Sequence, residues 1–375
     1  MKILKINAHE VIVPTHPEAI ESKGMNKPLH KLPVGTKDAW SVQFDELSKI
    51  ILKMELEDGI IGWGELYRGH NWDTVDGIAK SLIGQDINTF TLQSLPFHYS
   101  REYDGFECAI WDAYAKAHGL RVVDLLGGPV REKVKVGAWS GHRRLEDVGG
   151  LALKYSKQGY DCLKLKCDLT DDVVGQCREI KEAVPSMSVI FDPNERWENA
   201  GETRKRIYEL QKIGNMLCLE DPIPRWKLNE FAKLRTYGSI PIALHISLAY
   251  QQHGQSIENA IEAIQAEAVD GFNFNCGLAD FQRLDHVASA VGLPCWHGSE
   301  VDLGILEAMY VHSGAAAKSC VWPSDIFGRM IRSHDLLQEP LKFTPPFVEL
   351  PEGLGLGIEP DEDAIKKYQV NQKSY

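Results

Sequence analysis

The sequence predicts an α/β protein: a (β/α) barrel of the TIM type behind a smaller N-terminal α+β domain. Three observations carry that prediction. From about residue 133 to 330, short apolar strands alternate with amphipathic helices, the pattern of parallel βα units. Polar residues at the strand ends, Lys164, Asp192, Glu220, His245, Asp270 and His297, follow one another at intervals of 28, 28, 25, 25 and 27 residues, about the length of one unit in a ~250-residue barrel of eight. No glycine-rich GxGxxG follows a strand, so the rival doubly wound sheet lacks its usual signature.

The elements follow in order. Residues 3–13 alternate as a strand, and residues 50–56 and 60–64 form a hairpin around Asp58-Gly59. Between them, residues 14–45 hold Pro14, Pro17, Gly24, Pro28, Pro33 and Gly35 with His16, Lys23, Lys27, His30, Lys31 and Lys37. A loop of that length serves as a lid or binding loop in some proteins and as plain surface in others. Residues 70–127 are helical in pattern, with 106–118 the clearest helix, and Leu125-Leu126-Gly127-Gly128-Pro129 ends the block. The barrel strands are then expected at 134–138, 161–166, 189–192, 216–220, 240–245, 270–275 and 293–297. Their helices are expected at 145–158, 170–183, 200–213, 226–236, 256–266, 281–291 and 302–312.

Composition narrows the function. The chain has 375 residues, 43% hydrophobic and 25% charged, ordinary for a globular protein. Its 53 acidic residues against 41 basic ones give a formal net charge of -12, which disfavours nucleic acid and anionic membranes as partners. No apolar run approaches a membrane span, and the start, Met1-Lys2-Ile3-Leu4-Lys5, turns polar at Asn7 too soon for a secretion signal. Eight scattered cysteines without a CxxC pair read as reduced thiols of a cytoplasmic protein.

The chemistry gathers at the strand ends. Lys164 and Lys166 are two residues apart on a strand and so share a face. Two ammonium groups in a lumen are costly unless they serve an anion or a carboxylate, and their crowding lowers the pKa of one towards a usable base. The alternative is an edge strand with solvated lysines, against which stand the apolar neighbours on both sides. Asp192, before Pro193, and Glu220, before Asp221-Pro222, each end a strand. Either alone reads as a helix cap or loop charge; two, one βα period apart, suit a divalent cation held through oxygen.

At these residues the sequence resembles the enolase superfamily, in its mandelate racemase and muconate lactonizing enzyme branch. Asp58-Gly59-x-x-Gly62-Trp63-Gly64-Glu65 matches the hairpin of that family's capping domain. Ala109-Ile110-Trp111-Asp112 through Lys116, then Leu125-Leu126-Gly127-Gly128, matches the helix leading into its barrel. Lys164-x-Lys166 matches the base motif of the second strand, Asp192-x-Asn194 and Glu220-Asp221-Pro222 the first two metal ligands, and 349–361 the C-terminal tail. The resemblance implies a modified (β/α)7β barrel at 131–339, a capping domain at 1–130 and a tail, 340–375, packed back on the cap. It also implies a homo-oligomer, a bound divalent metal, Mg2+ in the family, and a small-molecule carboxylate substrate whose α-proton is removed to give an enediolate.

Two departures stand out. His245 occupies the place of the third acidic ligand; an imidazole suits zinc, iron, nickel or copper better than magnesium. Read alternatively, it caps the next helix. On the sixth strand Asn275 falls where many members carry a lysine; either an Asp270–His297 dyad replaces it on the opposite face, or Asp270 merely starts the strand and His297 works alone or with Asn275 to orient it. The expected catalytic residues are therefore Lys164, Lys166, His297 and Asp270, with Asp192, Glu220 and His245 on the metal. Asn194, Asn275, Lys23, Tyr67, Arg68, Glu300 and Trp322 are expected to meet the substrate, and Asp325 to lie near it. The expected reaction is dehydration of a hydroxy or sugar acid. Racemisation, epimerisation, cycloisomerisation and a non-catalytic barrel are the alternatives.

Overall fold

The computed structural model describes residues 1–25, 27, 47–197, 199–247 and 255–375. His30, Lys31 and Lys37 of the basic loop lie outside the described residues.

Strands β1 (Ile3–Val11), β2 (Lys49–Leu56) and β3 (Ile61–Leu66) form an antiparallel sheet. Asp58-Gly59 makes the β2–β3 turn, with Gly59 at φ +81°, where a side chain would be strained. Helices α1 (Trp72–Leu82) and α2 (Tyr103–Ala117) follow. Helix α2 lies directly on β3 because Gly62 and Gly64 carry no side chain; a Cβ at either would drive into the Ala109 or Gly105 carbonyl. Asp112 of α2 fastens this layer by accepting from the Trp63 and Leu356 amides, 2.8 Å each.

A single turn, α3 (Val122–Leu125), leads to β4 (Lys133–Lys135) and β5 (Ala138–Ser140). The sequence joined these two in one strand, 134–138. They separate because β4 pairs antiparallel with a strand of the tail, Phe347–Glu349, while β5 enters the barrel.

The barrel strands are β5, β6 (Cys162–Lys166), β7 (Ser188–Asp192), β8 (Met216–Glu220), β9 (Ile242–Ser247), β10 (Gly271–Asn275) and β11 (Cys295–His297). They form one parallel sheet in that order. Residues 320–324 close it as an eighth stave, bridging Cys295 to Cys320 and Val136 to Ser324, both parallel. The intervening helices are α4 (Leu145–Lys157), α5 (Val173–Ala183), α6 (Ala200–Ile213), α7 (Leu228–Arg235), α8 (Ser256–Gln265), α9 (Leu278–Ala290) and α10 (Gly304–Ala316). Side-chain chemistry sets the limits of α6: Asn199 caps it through the Glu202 amide at 3.0 Å, and left-handed Gly214 stops it. The strand Gln369–Ser374 returns to pair with β1.

Alternation along the strands sorts the lumen into layers. Cys162, Ile190, Cys218, Ala243 and Trp296 form an apolar floor, with Trp322 packed against it. The Trp322 ring lies 5.7 Å from that of Trp296 and against Gly271, the first residue of β10. This is the end of the barrel away from the strand C-termini, so Trp322 plugs the bottom and does not meet a ligand at the mouth. Above the floor the inward residues turn polar. All eight cysteines are buried and free. Among the described residues no helix is long and apolar enough to cross a membrane.

Candidate active site

The lysines of β6 rise from the floor into a ring of carboxylates. Lys164 Nζ lies 2.6 Å from Glu220 Oε2, 2.8 Å from Asp325 Oδ2 and 3.5 Å from Asp192 Oδ2, and 5.6 Å above the Trp296 ring. Burial alone would favour the neutral amine. The three acids outweigh it and hold Lys164 well above the usual lysine pKa, as a permanent ammonium. Lys166 sits one step nearer the mouth, pairs with Asp192 and donates to Asn194 Oδ1 at 2.8 Å. Burial, reinforced by the neighbouring Lys164 charge and opposed by Asp192, lowers its pKa. The two lysines thus divide the work: a fixed cation below and an amine that can hold or release a proton above.

Asp192 is held from two sides. Asn194 donates to its Oδ1 from both amide (3.0 Å) and side chain (2.8 Å), a turn that needs Asn194 at φ 45°. Burial would raise the Asp192 carboxyl, but the lysines push it down, so it stays ionised. Glu220 goes the other way: burial and the Asp192 charge raise it. Asn273 donates to Glu220 Oε1 at 2.8 Å.

His245, at the mouth end of β9, points Nδ1 at Glu220 Oε1, 3.4 Å away. Its buried Nε2 has no partner among the described residues. Burial and the Arg225 and Lys164 charges hold it well below the usual histidine pKa, hence neutral. The reading of His245 as a helix cap does not describe this geometry, since its ring faces the carboxylates. Asp221, in the left-handed region at φ 44°, braces it by accepting from its backbone amide at 2.9 Å while pairing with Arg225. Ligand atoms of Glu220, Asp221 and His245 lie within 4.8 Å of one another. Asp192 is outside that close group because Lys166 and Asn194 engage it. A neutral imidazole with a free, buried nitrogen beside ionisable carboxylates fits a divalent cation, through a mixed nitrogen and oxygen donor set.

Strand β10 stands across the barrel from β6, four staves away in either direction. It presents Asn273 and Asn275 inward. On β11 the inward position at this height belongs to Gly298, where a Cβ would strike Asn273 Oδ1 and come within 3.0 Å of the Asn275 Cβ. His297 therefore faces outward, correcting the expectation that it serves the site. Its ring is stacked between Phe281 of α9 (4.4 Å) and Tyr310 of α10 (3.9 Å), its Nδ1 is 2.8 Å from Gly298 O, and burial lowers its pKa to about 4. Asp270 is corrected likewise. It precedes β10 at the bottom of the barrel, paired with Arg235 at 2.7 Å and accepting from the Ile242 amide at 2.9 Å. The dyad does not exist.

The cap covers the β10 side of the mouth. Tyr67, just past β3, is buried with its hydroxyl 3.4 Å from Asn275 Oδ1. Arg68 and Arg101 converge on Glu300, whose turn is held by Val301 at φ 63°, a strained value for a β-branched residue. The Lys49–Asp302 pair, with Glu65 3.3 Å away and the Tyr310 hydroxyl on Asp302 at 2.7 Å, locks β2 and β3 to the same turn. Lys23 is exposed and makes no contact with the site among the described residues. Lys27 pins the N-terminal segment instead, bonding to Thr170 at 2.9 Å and to Asp168 and Asp171. His142 bridges Asp171 and Arg196 nearby, so this second acid–histidine group is an internal ion-pair network.

Sequence reasoning missed Asn273 and Asp221, and underrated Asp325. For Asn273 the signal was present, since it shares the face of Asn275 two residues on. Asp325 pairs with Lys164, a contact that only barrel closure reveals.

Paired lysines on one stave, acids at the ends of the next ones and a cap over the mouth define a barrel enzyme site for small anions. A family model described as enolase C-terminal domain-like matches residues 147–364, more than half of the chain. The chain belongs to the enolase superfamily, in the mandelate racemase and muconate lactonizing enzyme branch. It is 26% identical to muconate cycloisomerase 1 of Rhodococcus opacus over 335 residues, 84% of this chain and 87% of that one. It is 24% identical to N-succinyl-L-Arg/Lys racemase of Bacillus cereus over 355 residues, 88% and 92% of the two chains. The crystal structure of the Bacillus cereus racemase superposes with a TM-score of 0.82 at 22% identity, covering all of both chains.

Proposed function

We propose that the chain removes the proton α to a carboxylate with Lys166 and expels a β-hydroxyl, dehydrating a hydroxy acid of the sugar-acid class. One observation carries this reading: the two walls of the lumen are chemically unequal. Strand β6 offers an amine beside a fixed ammonium. The facing wall offers Asn273, Asn275 and the bare Gly298, none of which can accept a proton from carbon. Racemisation and epimerisation by a two-base route need an acceptor on each face. Elimination needs one base, and Lys166 supplies it from one side.

In this mechanism Lys164 holds negative charge on the substrate carboxylate, and Asn194 keeps Lys166 aimed. Asp192, Glu220 and His245 would hold a divalent ion, which when bound supplies positive charge to the enediolate. Because one donor is an imidazole, the site is expected to prefer borderline ions over magnesium. Arg68 of the cap and Glu300 of the turn after β11, paired with each other, would meet the far end of a polyhydroxylated chain. Cycloisomerisation is the second reading, since it too runs from one face and a curated relative is a muconate cycloisomerase.

The test is incubation with aldonic and aldaric acids under each divalent metal in turn, with 2-keto acid measured as product. Keto acid formation is expected. Racemised or epimerised substrate without keto acid would overturn the dehydration reading.

A further inference from the structure

Resting on the dehydration reading, we propose that Tyr67 is the acid that protonates the departing β-hydroxyl, and that Asp104 resupplies its proton from a cavity behind it. The reading above leaves the face opposite the lysines without a proton donor for the departing hydroxide, a poor leaving group, because the β10 wall is amide only. The Tyr67 hydroxyl is the titratable group of the cap brought against that wall, 3.4 Å from Asn275 Oδ1. It stands opposite the lysines, where a group leaving anti to the α-proton would emerge.

Asp104, on the first turn of α2, is 1% exposed and makes no ion pair among the described residues, although the Arg101 charge acts on it. The neighbouring Tyr67 hydroxyl partly lowers its pKa, and its Oδ2 has no partner among the described residues. Burial, with the charges of Glu107 and Asp280, pushes the Asp104 carboxyl well above its ordinary range, so it carries a proton to give. Burial also raises Tyr67, which therefore starts as a phenol and is no base for an α-proton. Behind Asp104 lies a cavity of about 310 Å³ between α2 and the α8–α9 side of the barrel, lined also by Tyr99, Glu107, Ser256, Asp280 and Arg283. It gives solvent protons a polar-walled route to Asp104 separate from the mouth of the barrel.

The step balances. Lys166 takes the α-proton, the Cα–H electron pair becomes the Cα=Cβ bond of an enol as the β C–O bond breaks, and Tyr67 O–H passes its proton to the leaving oxygen, releasing water. The enol gains a proton at Cβ and loses its hydroxyl proton to become the 2-keto acid, and Lys166 returns its proton to solvent. The phenolate takes the Asp104 proton, and solvent restores Asp104 through the cavity. Tyr67 is thus a catalytic residue and Asp104 a positioning and relay residue.

The experiment compares wild type, Tyr67→Phe and Asp104→Asn on an aldonic acid and on its 3-deoxy-3-fluoro analogue in D2O. Fluoride leaves without a proton. For Tyr67→Phe, keto acid from the hydroxy acid is expected to fall about 10²-fold, a typical general-acid contribution, while α-deuterium exchange and fluoride release stay near wild type. Asp104→Asn should lower hydroxy-acid elimination in the same direction at unchanged KM. Equal losses on both substrates, or no loss on the hydroxy acid, would overturn the proposal. Failure of the dehydration reading is distinct: the wild type itself would then form keto acid from neither substrate, whether or not it exchanges the α-proton, and this inference would fall with it.

Discussion

The β6 and β10 walls occupy the same height of the lumen, are equally buried and point two alternate side chains inward each, yet they differ in kind. Lys164 and Lys166 face Asn273 and Asn275. On the proposed reading one wall takes the proton from carbon, and the other orients the substrate and donates hydrogen bonds. The fold sets only the positions, and the residue types placed on two opposed staves decide which reaction the barrel supports.

The largest test of that contrast is Lys166→Ala. Loss of the one amine on the working wall is expected to cut α-deuterium uptake by about 10⁴-fold, the upper range for a general base. Uptake within tenfold of wild type would mean that the base lies elsewhere. Next comes His245→Glu, which replaces the imidazole donor with an oxygen donor and should tighten magnesium binding roughly tenfold, about 1.4 kcal/mol. Titration calorimetry reads this directly, and unchanged affinity removes His245 from the ligand set.

His297→Gln sharpens the comparison from the other direction. An outward ring stacked between Phe281 and Tyr310 contributes packing, so this variant should lose about 1–3 kcal/mol of stability yet keep kcat within threefold. A hundredfold drop in kcat would place His297 in the chemistry.

The smallest effect concerns acid stability. His312 is buried, with Nδ1 accepting from the Val123 amide and Nε2 3.0 Å from Leu356 O, and burial lowers its pKa to about 4. The unfolded chain then binds the proton first. Stability is full above about pH 6.5 and falls as pH drops towards 4, by up to about 3 kcal/mol from this group. His312→Gln should flatten that part of the curve of urea midpoint against pH. An unchanged slope would contradict it.

Where the sequence could be read, chemistry had marked the chain. Helix α6 was legible from end to end because Asn199 and Gly214 punctuate it, and Lys164 and Lys166 declared their common face by spacing. His297 was misread because β11 is only three residues long and a one-residue slip exchanges inside for outside. Asp270 was misread because an acid beginning a strand and one ending it look alike until register is known. Trp322 lies only three residues before Asp325, but barrel closure puts one at the floor and the other beside Lys164. Asp104 sits on a helix buried nearly all round, where periodicity carries no facing information.

The central claim is that proton transfer to and from carbon runs on one wall only. Its most direct test is the configuration at the α-carbon of substrate recovered after partial turnover in D2O. The unequal walls predict deuterium at that carbon with configuration retained, because Lys166 returns its exchanged proton to the face it left. Deuterated substrate of inverted or mixed configuration would contradict the claim and demand a second base facing β6.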